Sequence, residues 1–289
     1  MRYLVTAVLS AIAIFGFSQN KTGYVIYNSK GKKVSYKKMV KSLSKADVTC
    51  FGEFHDNPIS HWLELELTKD YYQKVGNCLL LGAEMVERDN QDELDLYLFD
   101  SINQKAFDTL ARLWPNYKTD YKPLVDFAKD SGVHFCATNI PRRYASLVYK
   151  KDFAGLDSLS NEEKSWIAPL PITFDSSLPQ YQKILEMMGG HGSSRLVKAQ
   201  AIKDATMAYF IIEALKANAS KTTKFLHFNG SFHTDFHEGI VWYLNQYAPE
   251  ISVKTIATVS QSDVSKLDKE HRGRADFIIC VDEDMTSTY

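Results

Sequence analysis

Short apolar runs rich in leucine and β-branched residues recur along the chain at Val48–Glu53, Cys78–Glu84, Val133–Asn139 and Thr223–Asn229, and again at Ser252–Val259 and Phe277–Val281. Between them, Pro58–Val75, Tyr121–Asp130, Arg142–Lys150, Arg195–Asn218 and Glu238–Tyr247 repeat their apolar positions with helical period. Strands alternating with helices predict βαβ units and an α/β fold, a largely parallel sheet flanked by helices. Tyr24–Ile26 and Lys33–Ser35, around Ser29-Lys30-Gly31, predict a small N-terminal hairpin, with a helix following it inside residues 19–46.

The stretch 153–195 breaks this rhythm. It carries Pro169, Pro171 and Pro179, then the glycine-rich MMGGHGSS. A long irregular segment in a compact domain is usually a lid, a binding segment or a helical insertion. The expectation is a helical and loop insertion covering the carboxyl ends of the strands, within an α/β domain over 47–285.

Residues 1–18 pair Arg2 with an apolar run, Tyr3 to Phe17, and end in small residues at Gly16 and Ser18. This is the pattern of a secretory signal peptide, too short for a membrane span, and it predicts export to the periplasm or envelope. No cysteine precedes Cys50, so lipoprotein anchoring is not expected. A net charge of -1 gives no general attraction to nucleic acid. Cys50, Cys78, Cys136 and Cys280 each sit in a strand-like run and read as buried free thiols, without the paired spacing of a metal site.

In sheets of this kind ligands bind beyond the carboxyl ends of the strands. Glu53, His55, Glu84, Asn139, Arg142, Asn229 and His233 all fall there. Glu53 and His55 are two apart, so they share a side while the strand persists. Each residue also has a structural reading. Glu53 and Asp56 suit the start of the helix after Asn57-Pro58, an N-cap and first-turn proline. Glu84 suits the first wet position after LLLGA, Asn139 a turn, and Asp235 and Glu238 a D-x-x-E cap that leaves His233 outside the helix. His61 reads as packing or surface, His134 and His227 as core histidines, and His191 as a loop residue. Gln200 and Asp204 share a helix face with Met207 and Ile211, so they need specific partners.

FGEFHDNPISH, LGAEM, NIPRR, QAIKDATMA and HFNGSFHTDFHEG, in that order, resemble the ChaN-like haem-binding family, over roughly residues 24–281. That family is similar to erythromycin esterases and Tiki metalloproteases. The resemblance implies an α/β fold, haem held non-covalently, and a role in iron acquisition with an outer-membrane uptake system. It also implies a homodimer in which haem takes a tyrosine and a partner's histidine. Tyr144, Tyr181 and His191 are the candidate ligands by placement, with Asn139 and Arg142 beside them. The alternative is a hydrolase of esterase or peptidase type using Glu53, His55, Glu84 and His233, alone or around a divalent metal ion.

Overall fold

The computed structural model describes residues 22–187, 194–218, 220 and 222–289. The elements in chain order are β1 Tyr24–Asn28, α1 Tyr36–Leu43, β2 Val48–Glu53, α2 Pro58–Val75, β3 Leu79–Glu87, α3 Gln91–Leu98, α4 Gln104–Leu110 and α5 Lys122–Ser131. They continue with β4 His134–Asn139, α6 Arg142–Lys151, α7 Asn161–Lys164, α8 Pro179–Met187, α9 Ser194–Ala217, β5 Lys224–Gly230, α10 Ile240–Tyr247, β6 Val253–Gln261 and β7 Phe277–Asp282.

The strands form one seven-stranded sheet in the order β1-β7-β6-β2-β5-β3-β4. Every neighbouring pair is parallel except β1 with β7. The α/β reading therefore holds, and each expected strand is present within a few residues. β2 is buried along its whole length and β5 at all but its first residue, because helices cover both faces, as parallel sheets require. One face packs against α1, α2, α3 and α5 through Leu63, Leu67, Leu94 and Leu124. The other packs against α9 and α10 through Met207, Ile211 and Leu244.

Local details separate what the pattern predicted from what packing chose. Asn57 Oδ1 accepts from the Ser60 amide at 3.0 Å with Pro58 at the helix start, so Asn57 and not Asp56 caps α2. The expected N-terminal hairpin is reduced to one bridge between Tyr27 and Lys33, while β1 pairs along its length with β7. Closing the open sheet edge satisfies more backbone groups than a two-strand hairpin does. α10 begins at Ile240 without a side-chain cap, and Glu238 instead accepts from the Gln180 amide at 2.6 Å. His134 is exposed at the start of β4, not a core residue. Cys50, Cys136 and Cys280 are buried free thiols, as expected, whereas free Cys78 is partly exposed.

The 153–195 segment folds mostly over the outer faces of α6 and α9, where Leu156 and Ile167 pack with Tyr144, Val148 and Ile202. Its end, α8, reaches the sheet mouth with Ile184 and Met187. His191 and residues 1–18 lie outside the described residues.

Candidate functional site

β2 lies between β5 and β6, and β5 returns between β2 and β3. This crossover opens a crevice at the carboxyl ends of the central strands, where α/β sheets place ligands. A cavity of about 1250 Å³ occupies it, lined by Glu53, His55, Glu84, Asn139, Arg142 and His233 among others. Three strands, α6 and two loops, remote in sequence, thus deliver six of the seven expected residues to one mouth, whereas Asn229 is buried and donates to Thr234 Oγ1 at 3.2 Å.

Two histidine–carboxylate pairs form its floor. His55 Nδ1 is 2.6 Å from Glu53 Oε1, which also accepts from the Tyr121 hydroxyl at 2.8 Å. His233 Nε2 is 3.0 Å from Glu84 Oε1, and its Nδ1 is 2.5 Å from Asp204 Oδ1 on α9. The Gly230 amide donates to Glu84 Oε2 at 2.9 Å. Gly230 joins the pairs. A Cβ there would stand 2.7 Å from His55 Nε2 and 3.5 Å from Glu84 Oε2, so glycine lets the His55 ring lie against the end of β5.

The charges follow from burial set against pairing. Burial opposes the charge of Glu84, but the positive charge and hydrogen bond of His233 outweigh it and hold Glu84 well below the ordinary carboxylate range. Burial likewise opposes protonation of His233, yet Glu84 and Asp204 raise it to about 9. His233 is therefore an imidazolium at neutral pH. Burial is also overcome at His55, which the Glu53 hydrogen bond and the Glu84 charge push upward.

Other histidines fall as chemistry demands. His227 is buried and lowered by burial to about 4, with Nε2 against Thr138 at 2.8 Å and Nδ1 against Asn229 at 3.0 Å. It is a neutral core histidine, as expected. His61, read as packing or surface, is buried, and its Nδ1 lies 3.2 Å from Glu53 Oε2, a pairing the sequence did not suggest. His237 turns to Asp276 at 3.1 Å and away from His233.

The tyrosine candidates move. Tyr144 is buried against Trp166 and donates to Glu163 at 3.0 Å. Tyr181 is buried and donates to Asp204 Oδ2 at 3.0 Å. Neither lines the cavity; Tyr149 and Tyr289 do, each at least half exposed. On α6, Tyr149 lies seven residues after Arg142, so helical period puts both on the wall. Trp114 also lines it, edge-on to the His55 ring at 4.8 Å. Trp114 escaped sequence reading because LWPNYKTD has no strand or helix period, and Tyr121, read only as the start of a helix, is brought to Glu53 by tertiary packing.

Among known proteins, a structure of cofacial haem binding to ChaN of Campylobacter jejuni has a similar fold, with TM-score 0.64 and 18% identity over 89% of this chain and 96% of that one. The erythromycin esterase EreC in its open conformation superimposes with TM-score 0.53 at 10% identity, covering 90% of this chain and 97% of that one. In Arabidopsis thaliana, the chloroplastic protein RETICULATA-RELATED 5 is 23% identical over 215 residues, which are 69% of this chain and 29% of that protein. The chain thus matches less than a third of that relative's length. Residues 39–244, well over half of the chain, match the family described as haem-binding uptake, Tiki superfamily, ChaN, and the protein belongs to that family.

Proposed function

We propose that the cavity binds haem non-covalently and that the protein is exported to handle haem or iron in the cell envelope. Family membership supports the cargo. The observation that carries the reading for this chain is the rim. Tyr149, Met187, Phe232 and Tyr289, all large and exposed, ring this one mouth. Gathered exposed apolar groups mark a binding surface, and the volume exceeds the roughly 300–1,000 Å³ of ordinary small-ligand pockets.

The residues present fit the group. Ala145 and Ser146 leave a flat wall on α6, while Arg142, Lys150 and Lys203 offer cations to propionates. The buried Asn139 Oδ1, without a hydrogen-bond partner among the described residues, faces the same site. Tyr149 and Tyr289 are the tyrosines on the wall, and His55 is the histidine, since both ring nitrogens of His233 are held by carboxylates. Haem iron accepts tyrosine and histidine as axial ligands, and such haem serves as carried iron or as a redox centre. A homodimer and an outer-membrane uptake partner belong to the same proposal.

Titrating haemin into the purified chain tests it. A saturable Soret change at about one haem per chain is expected, and its absence overturns the reading. Export predicts a mature start near Gln19 in envelope-fraction protein by mass spectrometry; a Met1 start in the cytosol overturns that part.

One observation favours a second reading, hydrolysis. His55 and His233, each held by carboxylates, both line this cavity, His55 close against Gly230. A paired acid and base is the arrangement of general acid–base catalysis. With His233 protonated, it is the acid or the anion stabiliser, and His55 the other partner. Ester and peptide hydrolysis by the haem-free protein, abolished in His55→Ala, is the check.

A further inference from the structure

Behind the pocket floor lies a second polar cluster, which shares Glu53 with the floor and whose His61 and Glu64 neither reading uses. Glu53, His61 and Glu64 each present one ligand atom, and the three atoms lie within 4.8 Å of one another. Glu53 is 1% exposed, Glu64 is 0% exposed and His61 is 7% exposed. His61 Nδ1 stands 3.2 Å from Glu53 Oε2 and 3.2 Å from Glu64 Oε2.

The other side of the imidazole explains why this is unusual. His61 Nε2 lies 3.1 Å from the His55 carbonyl oxygen and 3.5 Å from Asp120 Oδ2. A carbonyl only accepts, so Nε2 carries a proton there, and Nδ1 is the atom that faces both carboxylates. Two buried carboxylates converging on it call for positive charge between the three atoms, which a proton on Nδ1 supplies in part and a divalent cation ligated by the neutral imidazole supplies in full. Glu64 Oε1 is fully buried and makes no hydrogen bond among the described residues, and Glu53 Oε2, equally buried, has only the His61 contact. Two under-satisfied carboxylates and an aimed imidazole point to one shared partner.

We propose that Glu53, His61 and Glu64 form a buried site for one divalent first-row cation of zinc type, distinct from the pocket-side histidines His55 and His233. Zinc holds N and O ligands at about 2.0–2.2 Å in tetrahedral geometry, which separates ligand atoms by roughly 3.3 Å. Both measured His61 separations match that spacing. A ligating histidine is also normally fixed through its other nitrogen by a carbonyl or carboxylate, the role that the His55 carbonyl and Asp120 fill here. Two carboxylates and a neutral imidazole carry two negative charges, which one divalent cation neutralises, displacing the protons that occupy the cluster without it. Glu53 then has one oxygen on the cation and the other on His55 and Tyr121. The ion becomes the anchor that holds His55 at the pocket floor.

Zinc is the probe. The full chain is loaded with zinc, dialysed and assayed by elemental analysis, beside His55→Ala, His233→Ala and Glu64→Gln. About one zinc per chain is expected in the wild type. It should persist in both pocket-side variants and bind at least about tenfold more weakly in Glu64→Gln. Anomalous diffraction from wild-type crystals soaked in zinc needs no variant and decides the site even if Glu64→Gln fails to fold. A peak between Glu53, His61 and Glu64 supports the proposal. No bound zinc, or a peak at His55 and His233, overturns it.

Discussion

Glu84 and His233 meet at 3.0 Å between Oε1 and Nε2, although 149 positions separate them. They meet because β3 and β5, which carry them or lead into them, are neighbours in the sheet. The pair is buried, with Asp204 closing the far side of the imidazole. Its members answer to different perturbations, and the predictions follow from that.

Asp204 is fully buried and bonds both His233 and Tyr181. Asp204→Ala strands a buried imidazolium and a buried hydroxyl, and should cost about 3–5 kcal/mol. His55→Ala leaves the buried Glu53 its Tyr121 hydroxyl and His61 contacts and removes only a partly exposed ring, so it should cost less, about 1–2 kcal/mol. Denaturant unfolding of the two variants checks the contrast; equal losses would refute it.

His233 rises from 6.5 to about 9 in the folded chain. A raised histidine stabilises fully below its unfolded value and loses that contribution as pH climbs through the folded one. Glu84 is depressed from 4.5, so its contribution is present above that pH and fades as pH falls. Stability from the pair should therefore be greatest between about 4.5 and 6.5, and fall by roughly 3 kcal/mol towards pH 10. Urea midpoints across pH 6 to 10 measure it. The alkaline decline should flatten in His233→Gln.

Two glycines beside the site should behave oppositely. At Gly239, φ is +54° and a Cβ would meet the His233 carbonyl oxygen at 2.4 Å, a clash with backbone. Gly239→Ala should cost more than about 2 kcal/mol. At Gly230 the obstacle is the end of the His55 side chain, which can turn aside. Gly230→Ala should melt within a few degrees of the wild type and lose haemin affinity by about tenfold or more. Melting curves read beside haemin titrations separate the two.

Tyr149, half exposed on the cavity wall, differs from buried Tyr144 and Tyr181. If tyrosine ligates the iron, Tyr149→Phe should alter the ferric haem spectrum, whereas Tyr144→Phe should leave it unchanged. Tyr181→Phe should act through stability, since Asp204 loses a donor. A spectrum untouched by Tyr149→Phe removes that residue from the ligand set.

What the sequence determined by itself is local. Apolar runs and helical periods located the strands and most helices, because burial on both faces leaves a continuous apolar signature. Asn57-Pro58 marked the start of α2, and the two-residue spacing placed Glu53 and His55 together, because caps and strand period act over a few residues. Tertiary structure alone decided the rest. Asp204 and Gln200 were legible as polar groups needing partners, but only the crossing of α9 past β5 supplies His233. His61 had the look of a packing residue, since nothing in its neighbourhood shows that α2 lays it against Glu53. The choice between Tyr144, Tyr149 and Tyr181 turns on side-chain direction in a packed mouth, which periodicity narrows to a helix face and only contacts across the fold resolve.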